Sequence, residues 1–139
     1  MNTKYISDEN YVSSSEYQNY LNSNKGKGYL MIRANAASLA IPIEGWNIII
    51  SKVINNDRVI FYEGTTDSSG MIKKIELPAP IQDENNLDVP LFATYKIEWN
   101  YPKEDLDGTF SVNIYDDICT AQNIIITPNL PIRGYSYGN

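Results

Sequence analysis

Tyr29-Leu30-Met31-Ile32-Arg33-Ala34, Ala40-Ile41-Pro42-Ile43-Glu44-Gly45-Trp46-Asn47-Ile48-Ile49-Ile50, Val59-Ile60-Phe61-Tyr62, Thr65-Thr66-Asp67-Ser68-Ser69-Gly70 and Ile75-Glu76-Leu77-Pro78-Ala79-Pro80 follow one another between residues 29 and 80. Short β-branched runs, broken by Gly, Pro, Asn and Asp about every ten residues, predict an all-β sandwich. Strands are expected over about 29–35, from Trp46 to Ser51, over about 58–63 and from Met71 to Leu77. Trp46, Ile48 and Ile50 share one face of the second strand. Asn55-Asn56-Asp57-Arg58 reads as a hairpin turn, and Asp67 and Gly70 as the working residues of a tight turn. Pro42 belongs on an edge or at a bend, because it has no N–H to give a ladder.

Beyond Pro80 the longest loop runs from Ile81 to Pro90. Tyr95, Ile97 and Trp99 then alternate with Thr94, Lys96 and Glu98, the clearest two-residue period in the chain. An acidic loop, Pro102 to Gly108, separates this strand from Phe110–Tyr115, and Ile124 and Ile126 belong to a last strand over about 119–127. The total is seven strands. Upstream, Ser13 and Glu16 have capping-box spacing, and Tyr17, Tyr20 and Leu21 share one helical face. A short helix over about 14–23 is expected, with an apolar face too small to hold alone, so that it docks on the sandwich or on another chain. The chain divides into an arm with this helix at 1–27, a sandwich at 28–127 and a tail at 128–139.

The chain has 139 residues, 42% hydrophobic and 20% charged, which suits one globular domain. Its net charge is −6 and its 11 Lys and Arg form no run, which argues against nucleic acid and anionic membranes as partners. No apolar run approaches the about 18 residues of a membrane span. The segment Met1–Glu9 lacks the hydrophobic stretch of a signal peptide, and Leu130-Pro131-Ile132-Arg133-Gly134 has Arg133 where a sortase signal needs threonine. The expectation is synthesis in the cytoplasm without export by this route, and residence in a virion or tail-like particle or, alternatively, on the spore surface.

Chemistry is sparse. With no histidine and one cysteine, zinc binding and His-assisted nucleophilic catalysis lack their usual groups. Cys119 is expected as a small buried apolar side chain. Asp105-Leu106-Asp107-Gly108 resembles the start of a calcium loop without its later ligands, and Asp83, Glu84, Asp88 and the other carboxylates read as solvated loop residues. Gly26-Lys27-Gly28 lacks the frame of a phosphate loop. Trp46 and Trp99 read as core. No catalytic, metal or cofactor residue is expected.

Gly28-Tyr29-Leu30, Ala40-Ile41-Pro42-Ile43-Glu44-Gly45, Thr66-Asp67-Ser68-Ser69-Gly70, Ile75-Glu76-Leu77-Pro78-Ala79-Pro80 and Phe92-Ala93-Thr94-Tyr95-Lys96-Ile97 stand in the order of the carboxypeptidase regulatory-like modules. Over about residues 28–127 the chain resembles the clostridial version, as in precursors of spore cortex-lytic enzymes. The resemblance implies a seven-stranded transthyretin/immunoglobulin-like β-sandwich acting as a non-catalytic accessory or structural module, with no ligand named. Related modules in adhesins can carry a Lys–Asn isopeptide crosslink, for which Lys25 or Lys27 and Asn123 would be the partners.

The functional expectation is a non-enzymatic structural subunit of a phage tail, baseplate or tail-like bacteriocin particle, with other subunits as partners. The alternative is a spore or cell-wall accessory module binding a glycan or a protein. Tyr5, Tyr11, Tyr17, Tyr20 and Leu21 in the arm, with Tyr135 and Tyr137 in the tail, are the candidate partner contacts. On that reading, losing residues 1–24 costs assembly and spares the fold.

Overall fold

The computed structural model describes residues 1–36 and 41–126. They form an all-β sandwich of two sheets with nine strands among the described residues, two more than expected. The first sheet holds, in spatial order, β1 (Thr3–Tyr5), β5 (Asp57–Thr65), β4 (Asn47–Ile54), β7 (Ala93–Tyr101) and β8 (Leu106–Ile114). The second is built on β2 (Gly26–Ala36). Along one side of β2 lie β6 (Met71–Ala79) and the two-residue β3 (Ile41–Pro42), both antiparallel; β9 (Cys119–Ile126) runs parallel along the other. The additional strands are β1 and β3, too short to show a two-residue period in sequence. β1 pairs parallel with β5, setting Tyr5 beside Ile60.

The turns follow from their residues. Asn55 and Asn56, with φ of 48° and 69°, make the two-residue β4–β5 hairpin, whose primed turn requires positive φ at both positions. The Asp67 carboxylate accepts N–H bonds from Ser69 (2.8 Å) and Met71 (3.1 Å), and Gly70 takes φ 73°. A Cβ on Gly70 would stand 2.6 Å from the Ala34 carbonyl oxygen, so only glycine lets this turn pack on β2. Buried Thr66 joins two segments: its hydroxyl donates to the Ile43 carbonyl (2.7 Å) and accepts from the Trp46 N–H (2.9 Å).

Between the sheets lie Leu30 and Ile32 of β2, Ile48 and Ile50 of β4, Leu77 of β6, Tyr95 and Ile97 of β7 and Ile114 of β8, with Trp46 fully enclosed at one end. Two bulges break the simple alternation. Lys73 and Lys74 together oppose Met31, so Ile72 and Ile75 both turn inward. In β5, Ile50 faces Tyr62 and Ser51 faces Ile60, which leaves Phe61 as the extra residue, and it is buried.

Several expectations are corrected. The helices are α1 (Glu9–Val12) and α2 (Ser15–Ser23), and Ser14 caps α2 by accepting from the Tyr17 N–H at 3.3 Å. Ser13 forms no capping box with Glu16, because it closes α1 and donates its hydroxyl to the Glu9 carbonyl at 2.8 Å. β6 runs on through Pro78 to Ala79, which an edge strand tolerates. The Pro102–Gly108 loop contracts to a 3-10 turn, Pro102–Glu104, with Asp105 at φ 52° and β8 starting at Leu106. Cys119 is exposed, since it opens the edge strand β9 with its side chain on the outer face.

Candidate interaction surfaces

Residues 1–27, read from sequence as an arm, fold against the sandwich. Asp8 caps α1 by accepting from the Asn10 N–H at 3.0 Å, and α2 follows after a short turn. The two helices bring Tyr11 and Tyr17, each 5% exposed, into the same core as the strands. Tyr17 and Tyr20 close on Phe61, with ring centroids 6.1 and 5.9 Å away, and Phe61 meets Tyr95 edge-on at 5.1 Å. The bulge in β5 is what aims Phe61 at this cluster.

Polar ends of the same rings connect the arm to both sheets. The Tyr95 hydroxyl of the first sheet donates to the Pro78 carbonyl of the second at 2.5 Å, so its proton is committed there. The Tyr20 hydroxyl, 2.8 Å away, therefore donates to Tyr95. Burial pushes the Tyr20 phenol up to about 12, against a smaller lowering by its bond to Tyr95, and burial drives Tyr95 upward as well. A phenol whose pKa is raised by folding supports the fold fully below its unfolded value of 10.0 and loses that support as pH climbs through the folded value. Stability is thus expected to fall between about pH 10 and about pH 12. Thermal melts across that range, with tyrosinate absorbance followed in parallel, check it. Ionisation of Tyr20 and Tyr95 should coincide with unfolding, and free titration in the folded state would contradict the geometry.

The predicted contact residues therefore divide. Tyr11 and Tyr17 are internal, Tyr20 and Leu21 are partly buried against the core, and Tyr5 is 43% exposed. Tyr135 and Tyr137 lie outside the described residues.

A second surface was missed by sequence reasoning. The strand directions gather at one end of the sandwich the end of β6, the start of β7, the end of β8 and the start of β9. From this end rises the loop from Ile81 to Phe92, shaped by Asp83 accepting from the Asn85 N–H (3.0 Å) and Asn86 from the Asp88 N–H (3.1 Å). Leu87 stands on it 94% exposed, with Ile81, Leu91 and Phe92 also exposed. Next to it, the turn from Tyr115 to Ile118 is held to β2: Asp116 accepts from the Lys27 N–H (3.0 Å), and the Ile118 carbonyl accepts from Tyr29 (2.9 Å). The Phe92 ring lies 5.3 Å from Tyr115, and Ile118 is left open to solvent. The signal in the sequence was large apolar residues inside the longest loop, where solvation alone calls for none.

Other candidate chemistry does not assemble. Among the described residues no group of three or more Cys, Asp and Glu could hold a metal ion, and no helix is long and apolar enough to cross a membrane. Asn123 lies opposite Arg33 in the β2–β9 ladder, so Lys27 is six residues up the strand, about 20 Å away, and an isopeptide bond between them is ruled out. Lys27 instead pairs with Glu76 at 3.4 Å. Trp46 has no exposed surface and packs against Trp99 and Tyr101 at 4.8 and 5.2 Å, so these rings serve the core. A groove of about 380 Å³ between α2 and the edge of β6 is walled by Tyr17, Leu21, Leu77 and Pro78, with Lys25 and the paired Lys27 and Glu76 also lining it.

No family model matches the sequence, and no curated protein matches it. Among solved structures, transthyretin from Sparus aurata is similar, with a TM-score of 0.46 and 12% identity over 71% of this chain and 90% of that one. The two-sheet sandwich itself stands on the hydrogen-bonded ladders described above.

Proposed function

We propose that the chain is a non-enzymatic structural subunit of a larger particle, of the phage tail, baseplate or tail-like bacteriocin kind, working through protein–protein contact. The observation that carries this reading is the group of exposed apolar side chains at one end of the sandwich: Ile81, Leu87, Leu91, Phe92 and Ile118. Single exposed leucines are ordinary on a monomer. Five large apolar residues on one loop and the adjoining turn are the composition of a surface that a partner covers. The resemblance of residues 28–127 to carboxypeptidase regulatory-like modules supports an accessory rather than a catalytic role. On this reading Tyr5, Tyr135 and Tyr137 are further contacts, and the chain resides in the assembled particle.

The test is density-gradient separation of a native lysate with mass spectrometry of the particle fraction. Co-sedimentation with sheath, tube or baseplate proteins at fixed stoichiometry is expected. Recovery in the light soluble fractions, or with spore material, would overturn the proposal in favour of a spore or cell-wall accessory module, and glycan binding by the whole chain would then be measured.

A further inference from the structure

The second sheet is charged unlike the rest of the molecule. Strand alternation points Lys27, Tyr29, Met31 and Arg33 of β2 outward while Gly28, Leu30, Ile32 and Ala34 are buried. The bulge in β6 adds two adjacent lysines to the same face, because both Lys73 and Lys74 oppose Met31. Lys74 lies over the Tyr29 ring with its Nζ 4.4 Å from the centroid. The sheet's strands thus hold four of the chain's 11 Lys and Arg around an aromatic and a thioether side chain. Their one carboxylate is Glu76, engaged by Lys27. Along the other flank β9 adds only uncharged residues, Cys119, Ala121 and Asn123, level with Tyr29, Met31 and Arg33.

The loop from Ile81 to Phe92 is the complement of that face. It carries Asp83, Glu84 and Asp88, all exposed, contains no Lys or Arg, and has Leu87 between its acidic groups. We propose that this loop of one copy seats on the outer face of the second sheet of another copy. Leu87 covers Tyr29 and Met31, and the three carboxylates face Lys73, Lys74 and Arg33. The inference rests on the structural-subunit reading and names one partner, a second copy of this chain. The proposed contact is head-to-tail, and therefore heterologous, each copy keeping one loop and one sheet face free. Repeated, it closes into a ring or extends as a filament. Opposite charge aligns the two surfaces and makes their association sensitive to salt.

The experiment uses the full chain in sedimentation velocity over a concentration series, at about 0.05 M and about 0.5 M NaCl. Wild type is expected to associate beyond a dimer at low salt and to dissociate at high salt. Lys73→Glu/Lys74→Glu makes both surfaces acidic; Glu84→Lys/Asp88→Lys, which leaves the loop-shaping Asp83 in place, turns the loop basic as well as the face. Each variant alone should self-associate at least about tenfold more weakly than wild type, a difference of about 1.4 kcal/mol. An equimolar mixture should recover association, since each surface then meets its opposite. All four positions are exposed, so circular dichroism and melting temperature should stay close to wild type. Association indifferent to either set of substitutions overturns the proposal, as does a wild type that stays monomeric throughout. A monomeric wild type that still co-sediments with the particle removes the self-contact alone and leaves the subunit reading standing. If Lys73→Glu/Lys74→Glu then also leaves the particle fraction, the face belongs to a different acidic protein.

Discussion

Deletion of residues 1–24 is expected to unfold the sandwich, or leave it without fixed tertiary packing, rather than merely detach it from a partner. The deletion removes β1 from the edge of β5 and takes Tyr11 and Tyr17 out of the core. It also strips the cover from Phe61 and removes the hydroxyl that donates to Tyr95. Truncating one large buried aromatic side chain costs about 3–5 kcal/mol. Two such losses are comparable with the whole stability of a domain this size, about 5–15 kcal/mol. The check is the truncated chain itself, by thermal melt and amide chemical-shift dispersion. A cooperative transition within a few degrees of the intact chain would show that the helices only rest on the surface. Tyr17→Ala supplies the graded version, with an expected loss of about 3 kcal/mol. This reverses the expectation from sequence that residues 1–24 serve assembly and leave the fold alone.

Trp46→Ala is expected to cost about 3–5 kcal/mol, enough to lower the melting temperature by about 10–20 °C. The indole is fully enclosed, tilted against Trp99 and stacked on Tyr101, so its removal opens a cavity and takes from both rings their packing partner. Trp46→Phe should cost less than half as much. The Trp46 Nε1–H is buried with no hydrogen-bond partner among the described residues, and an unpaired buried donor costs about 1–3 kcal/mol. Phenylalanine gives up contact area but removes that unsatisfied group. Urea denaturation of the two variants decides the matter: equal destabilisation would mean that the indole N–H is bonded, to an internal water for instance.

What could be read in the sequence was whatever repeats every two residues or needs a particular turn residue. Tyr95, Ile97 and Trp99 alternate as expected, and Asp67 and Gly70 make the turn their chemistry demands. The failures have local physical causes. A bulge turns Ile72-Lys73-Lys74-Ile75 into an in-out-out-in pattern, and another buries Val59, Ile60 and Phe61 in succession, so neither stretch shows a clean period. The small helical face of Tyr17, Tyr20 and Leu21 was visible. That it would dock on the sandwich or on another chain was legible, but Phe61 as its contact was not, because Phe61 is some forty residues away and faces inward only through its bulge. Leu87 and Phe92 were passed over because apolar residues in a loop announce themselves only once the loop is seen to stand clear of the core.

The parallel pairing of β9 with β2 has a consequence for synthesis. Tyr29 pairs with Cys119 and Ala36 with Ile126, partners about ninety residues apart. Such a closure is entropically expensive and typical of slowly folding chains. On the ribosome, β2 emerges about ninety residues ahead of its second neighbour. Each nascent copy therefore spends that interval with an open edge, the stage at which neighbouring chains on one message are most able to pair wrongly.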